Sequence, residues 1–151
     1  MAIVSNISTL FRDEAAGGAV PDATRTAARS YTATGTITNL AGDLDTSKYK
    51  IASIPSDAIL DDRTIFDVEN WGFAATRIGT LDDVDALVSA TTSAATSQSP
   101  VAFGDANHDK ELWEVLGLAA DPGGNITLYA HGIADAAGAG SMPFRIVWLY
   151  R

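Results

Sequence analysis

The sequence contains no cysteine, so no disulfide and no thiolate metal site can hold this fold. Stability must therefore come from packing or from a partner, and the redox compartment cannot be read. Histidine is nearly absent as well: only His108 and His131 are available, which excludes a metal centre built on several imidazoles. Basic residues are scarce, with 10 Lys and Arg against 19 Asp and Glu and a net charge of −9. The cations are scattered without interleaved aromatics, and such an acidic field repels phosphate backbones, so nucleic acid is set aside as a partner. No apolar run reaches membrane-spanning length, and Met1 to Phe11 has neither the basic start nor the long apolar stretch of a signal peptide. The expectation is a chain made and kept in an aqueous compartment, with no membrane partner. No nucleophile elbow, phosphate-binding loop or dinucleotide fingerprint is present either.

What remains is the composition of one folded domain. With 151 residues the chain can hide roughly 70% of its unfolded surface. Hydrophobic content of 46% with 19% charged residues is not that of a disordered chain. The acid is mostly Asp placed in predicted loops, among them Asp57, Asp61, Asp62, Asp82, Asp83, Asp85, Asp105, Asp109 and Asp121. That distribution reads as solubility at high local concentration.

Residues 1–29 read as an N-terminal arm, because Gly17-Gly18 and Val20-Pro21-Asp22 interrupt any helical or strand period. Its apolar residues Ile3, Val4, Ile7, Leu10 and Phe11 have partly helical spacing. A helix that short is marginal in water, so these five are candidate contacts to the chain's own core or to a sister subunit.

From residue 30 to 151 the texture is that of short strands. Thr32, Thr34, Thr36 and Thr38 alternate with Tyr31, Ala33, Gly35 and Ile37, which predicts a strand with two unlike faces. Tyr49 to Ile54 predicts a second strand, stopped by Pro55. Ala58–Leu60, Thr64–Val68 and Trp71–Ile78 are further candidates, rich in β-branched and aromatic residues. A short helix is expected after Thr80, with acids in its first turn and Leu81, Val84, Leu87 and Val88 on one face. Ser89 to Ser99 reads as a surface loop. A second helix, capped by Asn107 or Asp109, should use Leu112, Trp113, Val115 and Leu116 and end at Gly117 with positive φ. Asp121-Pro122-Gly123-Gly124 is a turn. It leads to a strand from Asn125 to His131 and, past a Gly/Ala loop, to Phe144–Tyr150, apolar on both faces as a central strand should be. The fold class expected is mainly β: an antiparallel, jelly-roll-like β-sandwich of one domain, with one or two short helices and the N-terminal arm.

Catalytic and metal-binding readings find little support. Asp105-Ala-Asn-His-Asp109 opens like a calcium loop, but Lys110 stands where that loop needs Gly and Leu116 where it closes on Glu. Turn and cap residues explain the same string. Asp61-Asp62 and Asp82-Asp83-Asp85 offer the paired carboxylates of a glycoside hydrolase only as any Asp-rich surface does. His131, in strand register, reads as a residue satisfied by a neighbour rather than a general base. Trp71, Trp113 and Trp148 could stack on sugars, but each lies in an amphipathic or apolar element, which favours packing.

Two segments carry a resemblance. Ile51, Ile54, Pro55, Ser56, Asp57 and Ala58 form one; Leu112, Trp113, Glu114, Leu116, Gly117, Leu118, Asp121, Pro122 and Gly123 form the other, ahead of a closing strand pair. Together they resemble the small head decoration, or cement, proteins of tailed bacteriophages, over roughly Tyr49 to Tyr150. The resemblance implies a structural virion protein, assembled in the host cytoplasm and located on the outer capsid surface. Its implied partners are the major capsid protein and copies of itself, with three-fold clusters favoured, and neither cofactor nor catalysis is implied. A carbohydrate-binding β-sandwich on the phage head is the alternative.

Overall fold

The computed structural model describes residues 29–92 and 97–150. Nine strands are described: β1 (Arg29–Asn39), β2 (Lys48–Pro55), β3 (Ile59–Leu60), β4 (Ile65–Asp67), β5 (Ala75–Gly79), β6 (Val88–Thr91), β7 (Ser97–Gln98), β8 (Asn125–Ile133) and β9 (Gly140–Tyr150). One short helix, α1 (Leu112–Val115), precedes β8. The antiparallel pairs are nested: β1 with β9, β2 with β8, β4 with β7 and β5 with β6. Rolling this nest up adds β4 beside β9 and β5 beside β8. The results are a β1-β9-β4-β7 sheet, to which β3 adds a short pairing with β9, and a β2-β8-β5-β6 sheet. With two-residue β3 set aside, this is the jelly-roll order. The antiparallel β-sandwich expected from the alternation is the observed fold.

The core lies between the sheets. Phe66, Met142 and Ile146 enter it from the first sheet and Ile54, Ile78, Leu128 and Ala130 from the second, while Val68, Phe73, Val101 and Leu112 come from connections. Tyr49 meets the rings of Trp71 and Phe73 edge-on at 5.0 and 6.1 Å, and its hydroxyl bonds the Asp43 carboxylate. Burial, with that carboxylate, pushes the Tyr49 phenol up to about 12. At the sandwich corner the buried Asn39 amide donates to the Gly138 carbonyl (2.8 Å) and accepts from the Gly72 N–H (3.0 Å). Gly72 is required there, because a Cβ would collide with the Gly138 carbonyl and the Asn39 side chain.

β9 is the central strand that its two-sided apolar pattern predicts. On one side it pairs with β1 over eleven residues; on the other it pairs first with β3 (Ile59↔Leu149, Leu60↔Trp148) and then with β4 (Ile65↔Arg145, Phe66↔Phe144). Between those two short partners the ladder has a gap at Val147. Thr64 fills it: its buried hydroxyl accepts from the Val147 N–H (3.0 Å) and donates to the Val147 carbonyl (2.9 Å). The Asp61 N–H reaches the same carbonyl at 2.9 Å. The Asp61 carboxylate, held by Arg63 at 2.6 Å, is drawn down to about 2 by that guanidinium.

Several local expectations are overturned. Thr80 to Leu87 is not a helix. Thr80 does accept the Asp83 N–H (3.0 Å), but the chain reverses so that Leu87 N–H bonds the Ile78 carbonyl (2.9 Å) and Val88 enters β6 opposite Ile78. Strand pairing overrides a helix too short to stand alone. The stretch expected as a loop from Ser89 to Ser99 supplies most of β6 and all of β7, small edge strands that need no apolar alternation. Trp71 to Ala74 precedes β5 as irregular chain rather than strand. The cap of α1 is Glu111, not Asn107 or Asp109. Asp105 first turns the chain by accepting the Ala102 and Asn107 N–H groups, both at 2.7 Å, and the bridge Ile59↔Glu111 fixes where the helix begins. The arm, including Ile3, Val4, Ile7, Leu10 and Phe11, lies outside the described residues, except Arg29, which opens β1.

Thr64→Val keeps the shape but leaves the buried Val147 N–H without its acceptor, which is expected to destabilise the fold by about 1–3 kcal/mol. The urea midpoint of the variant checks this, and Thr64→Ser should restore most of the loss.

Candidate functional site

The two segments that carry the family resemblance lie far apart in sequence and meet in space. Leu112 N–H donates to the Ala58 carbonyl (2.7 Å), Trp113 N–H to the Ser56 carbonyl (3.1 Å), and Ser56 N–H to the Gly124 carbonyl (2.9 Å). The helix start is locked locally, since the Glu114 carboxylate accepts the Glu111 N–H (3.0 Å) and the Trp113 indole donates to Glu111 (2.7 Å). Gly117, with φ of 70°, ends the helix as expected. Gly123 and Gly124, at 71° and 69°, make the turn into β8. The Ser56 hydroxyl and the Gly123 N–H lower the Asp121 carboxyl below the usual carboxylate range. Ser56, Ala58, Leu112, Trp113 and Gly124 are therefore parts of one knot.

An open groove of about 610 Å³ lies beside this knot, between the Thr80–Asp83 loop and the turn after α1. Leu81, Leu116, Leu118, Pro122, Ile126 and Tyr129 give it an apolar lining, and Asp82 and Asp83 add negative charge. Leu81 and Leu118 are among the exposed large hydrophobic residues. Such a surface suits contact with another macromolecule more than it suits chemistry.

The Thr80 loop is pinned by His131. This residue lies on β8 across from Lys48 on β2 and Arg77 on β5, yet it is only 6% exposed, and its Nε2 is 3.0 Å from the Thr80 carbonyl. Burial lowers its pKa below 6.5, and nearby Lys48 adds to that effect. The reading of His131 as a strand residue satisfied by a neighbour holds.

A second exposed feature is aromatic. Tyr31 on β1 and Trp148 on β9 are cross-strand partners and stack with centroids 5.9 Å apart and planes 17° apart; Tyr150 meets Tyr31 edge-on at 6.3 Å. Tyr31 and Tyr150 are 43% and 45% exposed. Sequence reasoning weighed the tryptophans alone and missed this cluster, because only the β1–β9 register brings the tyrosines to Trp148. The other tryptophans occupy different settings: Trp71 is in the core, and Trp113 is tied to Glu111.

One member of each acidic string has a structural role. Asp105 organises a turn, Asp61 binds Arg63, and Asp85 lies 3.8 Å from Arg77. Among the described residues no cluster of three or more His, Asp or Glu side chains could hold a metal ion. Exposed Phe103 meets His108 edge-on with centroids 4.7 Å apart, beside Asp105. Comparison with protein-family models, with curated proteins and with solved structures finds no match.

His131 makes stability depend on pH with a definite sign. Its folded pKa lies below the value of the unfolded chain, so below about pH 6.5 the unfolded state binds the extra proton and stability falls as pH is lowered. Urea unfolding at pH 7.5 and 5.5 measures the slope. His131→Gln, which can still donate to the Thr80 carbonyl, is expected to flatten it.

Proposed function

We propose that this protein is a structural component of a bacteriophage virion that binds the outer surface of the capsid and ties neighbouring major capsid protein subunits together. It turns over no molecule. The observation that carries this reading is the knot: the segments Ile51–Ala58 and Leu112–Gly123, which resemble those of head decoration proteins, form one packing unit through two backbone hydrogen bonds, with a third from Ser56 to the adjoining Gly124. A motif set that builds a shared piece of architecture is more specific than two unrelated strings. The jelly roll itself is used for many functions and adds no weight to one of them.

In this role, binding free energy becomes shell stability by mass action, because the protein binds the assembled shell in preference to its separated parts. A domain of this size offers an interface of roughly 800 Å² per partner. Several copies on one shell multiply the attachment through effective concentration. The apolar groove between the Thr80 loop and Leu118 offers capsid contact on the folded domain, and the arm residues Ile3, Val4, Ile7, Leu10 and Phe11 offer it ahead of the domain.

Purified protein is expected to add to capsids that lack it and to raise the temperature at which they release DNA; removal of residues 1–11 should weaken that addition. Co-sedimentation and thermal DNA-release assays measure both, and no binding at micromolar protein refutes the proposal. The cluster of exposed Tyr31 and Tyr150 with half-buried Trp148 favours a second reading, carbohydrate binding, since sugars stack on such surfaces. If it is right, glycan binding changes tryptophan fluorescence and Tyr31→Ala abolishes the change; fluorescence indifferent to every glycan tried removes it.

A further inference from the structure

Among the described residues β1 is the outermost strand of its sheet, with β9 on one side and no described strand on the other. It is eleven residues long, and its register with β9 is continuous, without a bulge. A long regular edge presents a row of backbone donors and acceptors to any strand that arrives. The other edges of the sandwich carry protection. β7 has two residues and β6 has four. β2 carries Lys48 and Lys50, has an irregularity between Lys50 and Ala52, and ends in Pro55. β1 has none of these devices: it contains no proline or lysine, and no charged residue stands between Arg29 and Asp43.

We infer that two copies of this chain pair antiparallel along β1, making one continuous sheet across a two-fold axis near Gly35. Two features select a second copy as the occupant. First, a chain of net charge −9 repels its copies except where its surface is neutral, and Ser30 to Gly42 is a neutral run. Second, the strand is complementary to itself. Centred on Gly35, an antiparallel pair sets Thr34 opposite the second copy's Thr36 and Thr32 opposite Thr38, all on the outer face, where the four threonines are exposed. Ala33 then faces Ile37 on the other side, and Tyr31 to Asn39 overlaps completely. β-branched residues facing one another across a strand pair are a favourable arrangement. The contact is isologous and closes at two copies, unlike the three-fold cluster implied by the family resemblance. It does not depend on capsid binding.

Sedimentation velocity of the full chain at about 10 μM tests the inference, with a species of twice the 15.8 kDa chain mass expected. Thr34→Glu with Thr36→Glu places like charges directly opposite at both symmetric positions and should weaken the dimer at least tenfold. Thr34→Glu with Thr36→Lys places opposite charges there and should keep it. Both doubles change exposed side chains only, and circular dichroism with urea midpoints confirms that each is folded. Because the chain has no cysteine, Thr34→Cys with Thr36→Cys adds a direct readout: oxidation should give a covalent dimer. A wild-type monomer or trimer at this concentration overturns the inference, as does a like-charge variant that dimerises as tightly as the wild type.

Discussion

The backbone of β9 must be hydrogen-bonded along both edges, and the rest of the sandwich is arranged around that requirement. β1 satisfies one edge over its whole length. The other edge is assembled from β3, β4 and, at Val147, the side chain of Thr64. A hydroxyl that both donates and accepts can replace a missing backbone group only if it is held in the sheet plane. The turn from Asp61 to Thr64 does this, closed by Thr64 N–H to the Asp61 carbonyl (2.9 Å) and stiffened by the Asp61–Arg63 pair. An acidic residue that could be mistaken for half of a catalytic pair thus braces the central strand.

Strands with strong local character were legible in the sequence. The Thr alternation of β1, the apolar run of β9, and the Pro55 and Asp121–Gly124 punctuation all report backbone states that nearby residues determine. The misread elements depended on distant partners. Thr80 to Val88 has the cap, acids and apolar spacing of a helix, but Val88 gains more by pairing with Ile78 and entering the core. The small polar residues of β6 and β7 carry no strand signal, since an edge strand is held by its neighbour's backbone rather than by its own side chains. Glu111 became a cap because Leu112 and Trp113 were already bonded to Ala58 and Ser56, a contact that no local pattern encodes. Of the residues weighed for chemistry, His131 was legible in advance as satisfied by a neighbour, whereas the acids expected to begin helices at Asp82 to Asp85 and at Asp109 lie instead in turns and loops. The groove and the Tyr31–Trp148–Tyr150 cluster could not be read in advance, because each arises where segments remote in sequence converge.

The surface divides along the same lines. Acid is concentrated in turns, where Asp side chains accept backbone N–H groups at Asp61, Asp105 and Asp121. The outer strand faces carry threonine, or a few cations such as Lys48, Lys50 and Arg77. The acidic field is thus borne by the turns, while the run from Ser30 to Gly42 carries no charge.

The nested pairing also sets an order of events during synthesis. The first described strand finds its main partner in the last described one, so β1 lacks its β9 partner until residues 140–150 have emerged from the ribosome. Closing a loop of that span carries a large entropic penalty before any native contact offsets it, and folds of such high contact order form slowly. The sandwich can be completed only after β9 has been synthesised, so its closure comes late relative to the making of β1.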